Sequence, residues 1–169
     1  NYTSILNNTS LESRKLFAEP TVKSMKVRTV ATGHGQEGEF IARTHSINVN
    51  SGTTDFSWQL WKECGNNPIY PQGGTWIYDR AGWCPGAPSD LREYEIMSLV
   101  TPNAEFSLDY GINTATGDSR YIVNTQLVKY GNASFANDAA VDEIISPSDA
   151  VVNSRINPAC ANPTIVIKN

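Results

Sequence analysis

Regular alternation of apolar and polar residues constrains the fold of this chain more than any other sequence feature. Every second position of the segment 105–113 is apolar, and these positions are Phe106, Leu108, Tyr110 and Ile112. Side chains two residues apart lie on the same face of a β-strand, so this period predicts a strand with one buried face. The segments 23–31, 46–50 and 54–60 also read as strands. No segment has a convincing helical period, apart from a turn or two of helix expected near 10–17.

Two later segments add to the predicted β-architecture. Residues 94–100 are expected to form one further strand, and residues 120–130 are apolar enough for a central strand that is buried on both faces. Turns rich in glycine and proline separate the seven or eight predicted strands. This pattern indicates an all-β fold, an antiparallel β-sandwich, and the jelly roll is one architecture of this size.

The composition changes after residue 131, where the chain becomes small and polar. We therefore predict a jelly roll over 1–131, a linker over 132–150 and the start of a second, truncated β-sandwich module over 151–169. The apolar run 163–167 would be the opening strand of that module, and Cys160 would belong to it.

The charge balance argues against a nucleic-acid partner. The chain has 169 residues, a formal net charge of −4 and a sequence pI of about 5.1, whereas proteins that bind phosphate backbones carry clustered Lys and Arg. No membrane span is expected, and residues 1–16 lack the apolar centre of a signal peptide. We expect the chain to be part of a longer protein.

The three cysteines favour an exported protein. Cys64 and Cys84 are not in a Cys-x-x-Cys pair, and with two histidines in the chain a zinc site would need scattered ligands. A disulfide between them is the favoured interpretation, and it would stabilise the fold by about 3 kcal/mol. An oxidising environment follows, so we expect a secreted or cell-surface location. Cys160 would either pair outside this sequence or be a buried thiol.

The segment 67–84 is the first candidate for a binding site, because it combines prolines, glycines, two tryptophans and an Asp-Arg pair. The guanidinium of Arg80 can bind a carbonyl or a hydroxyl pair, and the rings of Trp76 and Trp83 offer flat faces to a sugar. Two alternatives stay open: Asp79 and Arg80 form only an ion pair that locks the loop, and Trp83 packs in the core. Trp58 and Trp61 are expected in the core or rim of the sandwich.

The glycine-rich segment 32–45 carries five residues with candidate chemistry. These residues are His34, Glu37, Glu39, Arg43 and His45. Their spacing matches no standard ligand set, so we expect neither a metal nor a cofactor. Glu39, between Gly38 and Phe40, is a candidate for orienting a substrate or transferring a proton. For His45 we expect a hydrogen-bonded strand position, and for Arg43 a structural ion pair.

Four motifs together resemble the C-terminal domain of the bacterial peptide-N-glycosidase F family. They are Ala31-Thr-Gly-His-Gly35, Glu39-Phe-Ile-Ala-Arg-Thr-His45, the segment 64–68, and Asp79-Arg-Ala-Gly-Trp-Cys-Pro-Gly86. The last motif is long and uninterrupted, and the order of all four is that of the family. The resemblance covers roughly residues 23–129.

The resemblance implies the second jelly roll of a two-domain amidase that cleaves the bond between asparagine and the first N-acetylglucosamine of N-linked glycans. The site of that family lies between two jelly rolls, and an Asp of the N-terminal domain is its principal catalytic residue. By position, Glu39 and Arg80 would be the contributions of this chain, and Cys64–Cys84 the family disulfide. The implied partners are an N-linked glycoprotein, the missing N-terminal jelly roll and the C-terminal β-module.

Four further residues are expected to contact the substrate. They are His34, Trp76, Asp79 and Trp83.

Two other functional classes remain. One is a noncatalytic carbohydrate-binding or cell-surface module. The other, more weakly supported, is a copper protein, and the presence of only two histidines counts against it.

Overall fold

The computed structural model describes residues 11–50, 54–65, 77–113, 115–135, 139–146 and 163–168. The strands are β1 Arg14–Ala18, β2 Ser24–His34, β3 Arg43–Val49, β4 Phe56–Leu60, β5 Arg92–Glu95, β6 Ala104–Ile112, β7 Arg120–Tyr130, β8 Ala140–Ser146 and β9 Thr164–Lys168. A one-turn helix, α1, spans Gln36–Glu39, and a 3₁₀ turn spans Met97–Leu99.

The first seven strands form two antiparallel sheets that pack face to face. One sheet has the order β1-β6-β3-β4 and the other the order β5-β2-β7. The shared core takes side chains from both sheets, including Met25, Val27, Ile47, Trp58, Phe106 and Tyr110. The predicted jelly-roll β-sandwich is confirmed.

The alternation in β6 has the predicted consequence. Phe106, Leu108, Tyr110 and Ile112 are buried, while the residues between them are more exposed. Trp58 on β4 belongs to the same core, which is one of the two positions, core or rim, that the sequence predicted for it. Apolar side chains at period two therefore settle which face of each sheet is inside.

His45 lies in β3 and points into the core. Its side chain is fully buried, and its Nδ1 is 2.5 Å from the hydroxyl of Tyr110. Burial lowers the pKa of His45 to about 4, because the charged imidazolium loses its hydration. The expectation of a hydrogen-bonded strand position holds for this residue.

The prediction of a central, doubly buried strand at 120–130 is wrong. Among the described strands β7 pairs with β2 alone, and most of its side chains are exposed, with Ile122 at 67%. A cavity of about 620 Å³ opens between β7 and the facing sheet, and it is lined in part by Leu16, Leu108 and Val123. Apolar content alone cannot predict this outcome, because burial depends on the number of neighbouring strands.

Local sequence also misled at two shorter segments, 10–17 and 94–100. The helical turn expected near 10–17 is instead β1, because pairing with β6 provides its backbone hydrogen bonds. Within the segment 32–45, β2 continues to His34, α1 follows, and β3 starts at Arg43. The strand expected over 94–100 ends at Glu95 and continues as the 3₁₀ turn.

The strands β8 and β9 form a separate antiparallel sheet of two strands. β8 lies inside the range predicted as a linker, so the prediction is corrected for residues 140–146, which form a strand. The β-branched residues Val141 and Ile144 pair with β9 there, and this pairing outweighs the polar composition of the segment. Thr164–Lys168 is a strand, as expected. The division into domains stays a prediction, and Cys160 lies outside the described residues.

Helices that could span a membrane do not occur in the part of the chain that the structure describes.

Candidate functional site

Three segments that are distant in sequence meet at the end of β2. The backbone N–H of Gly33 donates to the carbonyl of Ala81 at 2.9 Å, and the N–H of Ala81 donates to the carbonyl of Glu39 at 2.8 Å. These bonds tie the end of β2, the helix α1 and the segment 79–86 into one layer. The residues that the sequence singled out on α1 and on that segment are therefore neighbours.

Two glycines make this close approach possible. A Cβ on Gly33 would lie 2.0 Å from the carbonyl oxygen of Gly38 and 2.6 Å from the Cβ of Ala81. Gly82 has a φ of +77°, and a Cβ there would lie 2.4 Å from the carbonyl oxygen of Ala31. Larger residues at either position would push the three segments apart.

The central feature of the site is an ion pair between Glu39 and Arg80. The Nε of Arg80 donates to Oε1 of Glu39 at 2.7 Å. The Arg80 side chain is 2% exposed, whereas that of Glu39 is 20% exposed. The carboxylate of Glu39 is thus held by the buried Arg80 and remains partly exposed to solvent.

The guanidinium of Arg80 has several further contacts. Its Nη1 donates to the carbonyl of Tyr78 at 2.9 Å and lies 3.8 Å from the Sγ of Cys64. Its Cζ lies 5.4 Å from the ring centroid of Phe40 and 5.2 Å from that of Trp83. Aromatic faces attract a cation more strongly where water is excluded, so both rings help to compensate the burial of this charge.

Trp83 is itself fixed by the end of β2. Its Nε1 donates to the carbonyl of Gly33 at 3.0 Å. Its ring centroid lies 5.6 Å from that of His34, whose Nε2 is 2.9 Å from the hydroxyl of Thr32. Trp83 and His34 are both half-buried, so they lie at the surface of the site rather than in the core.

A disulfide and an aspartate hold the segment that carries Arg80. Cys64 and Cys84 are bonded, which confirms the predicted disulfide. The backbone N–H of Cys64 donates to Oδ1 of Asp79 at 3.0 Å, and Lys62 and Arg80 exchange two backbone hydrogen bonds of 2.8 and 3.1 Å. Asp79 therefore acts on the backbone of the loop, while the carboxylate of Glu39 pairs with Arg80.

The N-terminus of α1 is held by residues that the sequence did not single out. The carboxylate of Asp118 accepts hydrogen bonds from the N–H groups of Gln36 and Glu37, at 2.8 and 2.9 Å. These bonds lower the pKa of Asp118. The hydroxyl of Thr116 donates to Oε2 of Glu37 at 2.7 Å. Sequence inspection could not find this contact, because the partners lie about 80 positions apart.

The structure brings together five of the six residues predicted for the site. Glu39, Arg80, His34, Asp79 and Trp83 lie in this one region, and Trp76 lies outside the described residues. Phe40 was missed as a contact of Arg80, although its position beside Glu39 and its aromatic ring were visible in the sequence.

Arg43 and His45 belong elsewhere. Arg43 forms no ion pair with the residues that the structure describes, and its Nε is buried. The expected structural ion pair stays a prediction. Within the described ranges, no group of three or more His, Cys, Asp or Glu residues could hold a metal ion.

Chemically, the arrangement presents one oriented carboxylate. Glu39 is fixed through its backbone by Ala81 and through its side chain by Arg80. A carboxylate in this setting can accept hydrogen bonds from a polar ligand without losing its position.

Known proteins match this chain over most of its length. The family model described as Peptide-N-glycosidase F, C terminal, matches residues 1–128. The peptide-N(4)-(N-acetyl-beta-D-glucosaminyl)asparagine amidase F of Elizabethkingia miricola is 34% identical in an alignment of 101 residues, and the match covers 56% of this chain and 28% of the amidase.

Solved structures agree. PNGase F, a glycosylasparaginase from Flavobacterium meningosepticum, superimposes with a TM-score of 0.65 at 28% identity, over 72% of this chain and 44% of its own. A crystal structure of a peptide-N(4)-(N-acetyl-beta-D-glucosaminyl)asparagine amidase at 2.2 Å has a TM-score of 0.66 at 28% identity, over 75% of this chain and 46% of its own. PNGF-II, at 21% identity and a TM-score of 0.54, shares the fold.

The chain spans 28% of the length of the curated amidase and less than half of the first two solved chains. The family model nevertheless covers more than half of this chain. The chain belongs to the peptide-N-glycosidase F family, as its C-terminal β-sandwich domain.

Proposed function

We propose that this chain is the second jelly roll of an amidase that hydrolyses the bond between asparagine and N-acetylglucosamine in N-linked glycans. Its relatives are named for that amidase activity, and the family model covers residues 1–128. The observation that carries the proposal is the Glu39–Arg80 ion pair, because it joins the two family motifs at a partly exposed carboxylate.

The roles of Glu39 and Arg80 differ in this proposal. Glu39 accepts hydrogen bonds from the sugar or from the scissile amide, and so orients the substrate. Arg80 is 2% exposed, which favours action through Glu39 over direct contact with the substrate. Both remain the residues that this chain contributes to the reaction.

The remaining machinery lies on another domain. A carboxylate of the N-terminal jelly roll would activate water, which adds to the amide carbon as the C–N bond breaks. The hydroxyl stays on the side chain, which becomes aspartate, and the proton leaves with the glycosylamine. Neither a metal nor a cofactor is needed for this reaction.

Residues near Glu39 are proposed to contact the glycan. His34, Asp79 and Trp83 are all partly exposed in the same region, and the indole and imidazole rings offer apolar faces to a pyranose. We include Trp76 in this proposal because of its position in the sequence alone, between Cys64 and Cys84. The Cys64–Cys84 disulfide favours an oxidising compartment, which supports a secreted or cell-surface location.

Mass spectrometry of an N-glycosylated peptide tests the proposal. The peptide is incubated with this chain alone and with a longer protein in which it follows an N-terminal jelly roll of the family. Conversion of the glycosylated Asn to Asp, with loss of the whole glycan, is expected only for the longer protein. If neither protein converts the Asn but the chain still retains the glycan in a pull-down, the result would instead support a noncatalytic carbohydrate-binding module.

A further inference from the structure

We infer that Phe40 and Trp83 are positioning residues that hold the guanidinium of Arg80, and through it the carboxylate of Glu39, in one orientation. The inference deepens the proposed function and rests on it, since Glu39 is placed there as the group that meets the substrate. The two rings set the geometry of the ion pair between Arg80 and Glu39.

The first step is the burial of Arg80. A guanidinium that is 98% shielded from water needs protein contacts in place of its hydration. Hydrogen bonds to Glu39 and to the carbonyl of Tyr78 meet part of this need. The bonds lie in the plane of the guanidinium, so they leave its faces to other groups.

The second step is the position of the rings. The Cζ of Arg80 lies 5.4 Å from the centroid of Phe40 and 5.2 Å from that of Trp83, within the range of a cation–π interaction. Phe40 follows Glu39 directly, and Trp83 lies three positions after Arg80. Each member of the ion pair therefore brings its own aromatic neighbour to the guanidinium.

The third step is the anchoring of Trp83. Its Nε1 donates to the carbonyl of Gly33 at 3.0 Å, so the polar end of the indole is bonded to β2. Gly33 also donates its N–H to the carbonyl of Ala81. The indole is thereby fixed to the same layer that carries Glu39, and a fixed ring restricts the guanidinium beside it.

The test is the solvent exchange of the Arg80 Nε–H, observed by NMR in the 15N-labelled chain. Trp83→Leu removes the aromatic face and the N–H, whereas Trp83→Phe keeps a face. We expect Trp83→Leu to accelerate the exchange about tenfold or more. Trp83→Phe keeps a face but loses the bond to Gly33, and should accelerate it by only about threefold. Phe40→Leu is the second variant and should also accelerate the exchange about tenfold.

Trp58→Leu is the matched control. It removes an equally large side chain from a core cluster that does not include Arg80, and should leave the exchange of the folded chain within about threefold of the unmodified rate. An unchanged exchange rate in folded Trp83→Leu would overturn the inference. If that variant does not fold, Phe40→Leu decides in the same way.

A kinetic measurement separates positioning from sugar contact. In the longer, complete amidase, Trp83→Leu should lower kcat about 100-fold with a smaller change in KM, because a misplaced carboxylate impairs the reaction more than binding. A raised KM at constant kcat would show that Trp83 serves only as a contact for the sugar, and would overturn the inference. Absence of turnover in the complete protein would refute the proposed function, while the exchange measurement would still decide the inference.

Discussion

The Nε of Arg80 donates a hydrogen bond of 2.7 Å to Oε1 of Glu39, across 41 positions of sequence. The bond connects α1 to the segment that the Cys64–Cys84 disulfide constrains. Because Arg80 is buried and Glu39 is partly exposed, the bond runs from the interior of the protein to its surface. The geometry of this surface carboxylate therefore depends on the loop and on the disulfide that holds it.

Substitution of Glu39 by Gln tests the role of the charge. The side chain keeps its size and can still accept the bond from Arg80, so the chain should remain folded by circular dichroism. Deglycosylation of a glycopeptide by the complete protein should fall by about 100-fold or more, the scale of one positioned acid–base group.

Glu37→Gln is the control for that variant. Glu37 lies on the same short helix and accepts a hydrogen bond from Thr116, which a Gln can also accept. Its turnover should match that of the unmodified protein. Equal turnover in Glu39→Gln would show that the carboxylate has no part in the reaction.

Removal of the disulfide should destabilise the chain. With Cys64→Ser and Cys84→Ser together, we expect the free energy of unfolding to fall by about 2–5 kcal/mol, because the unfolded chain regains the entropy that the bond restricts. Urea unfolding of both proteins measures the difference. If reduction of the unmodified chain left its melting temperature unchanged, Cys64 and Cys84 would not be bonded in the protein.

Gly33→Ala should be costly, because its new Cβ would lie 2.0 Å from the carbonyl oxygen of Gly38. We expect a loss of about 1–3 kcal/mol in urea unfolding, the usual cost of overpacking. At Gly65, an added Cβ would have no heavy atom of the described residues within 4 Å. The matched variant Gly65→Ala should change stability by less than about 0.5 kcal/mol, and an equal loss in both would refute the close approach.

The buried His45 should make stability depend on pH. Its pKa falls from 6.5 to about 4 on folding, so below pH 6.5 the unfolded chain binds the proton first. The free energy of unfolding should therefore fall as the pH is lowered from 6.5 towards 4, by about 3 kcal/mol in total from this residue.

Urea unfolding at a series of pH values measures that slope. His45→Leu should lose the contribution of this residue, since it has no proton to bind. Tyr110→Phe removes the hydrogen bond but leaves the imidazole buried, so its slope should persist. A slope that is the same in His45→Leu and in the unmodified chain would assign the effect to other groups.

The sequence by itself determined the buried face of one strand, the disulfide and the family. Alternation in 105–113 predicted β6 and its buried face, because a period of two is a property of the extended chain itself. The disulfide between Cys64 and Cys84 could be predicted because the chain has only three cysteines. The motif at 79–86 pointed to the family without any knowledge of the fold.

Only the tertiary structure decided which strands are covered and which charges pair. β7 is as apolar as a central strand, yet among the described strands it has one neighbour and remains largely exposed. Asp79 is adjacent to Arg80 in sequence, yet Glu39 forms the ion pair and Asp79 accepts from the backbone of Cys64. Asp118 holds α1 from about 80 positions away. Sequence patterns describe neighbours along the chain, whereas burial and ion pairing depend on neighbours in space, which only the packed sandwich brings together.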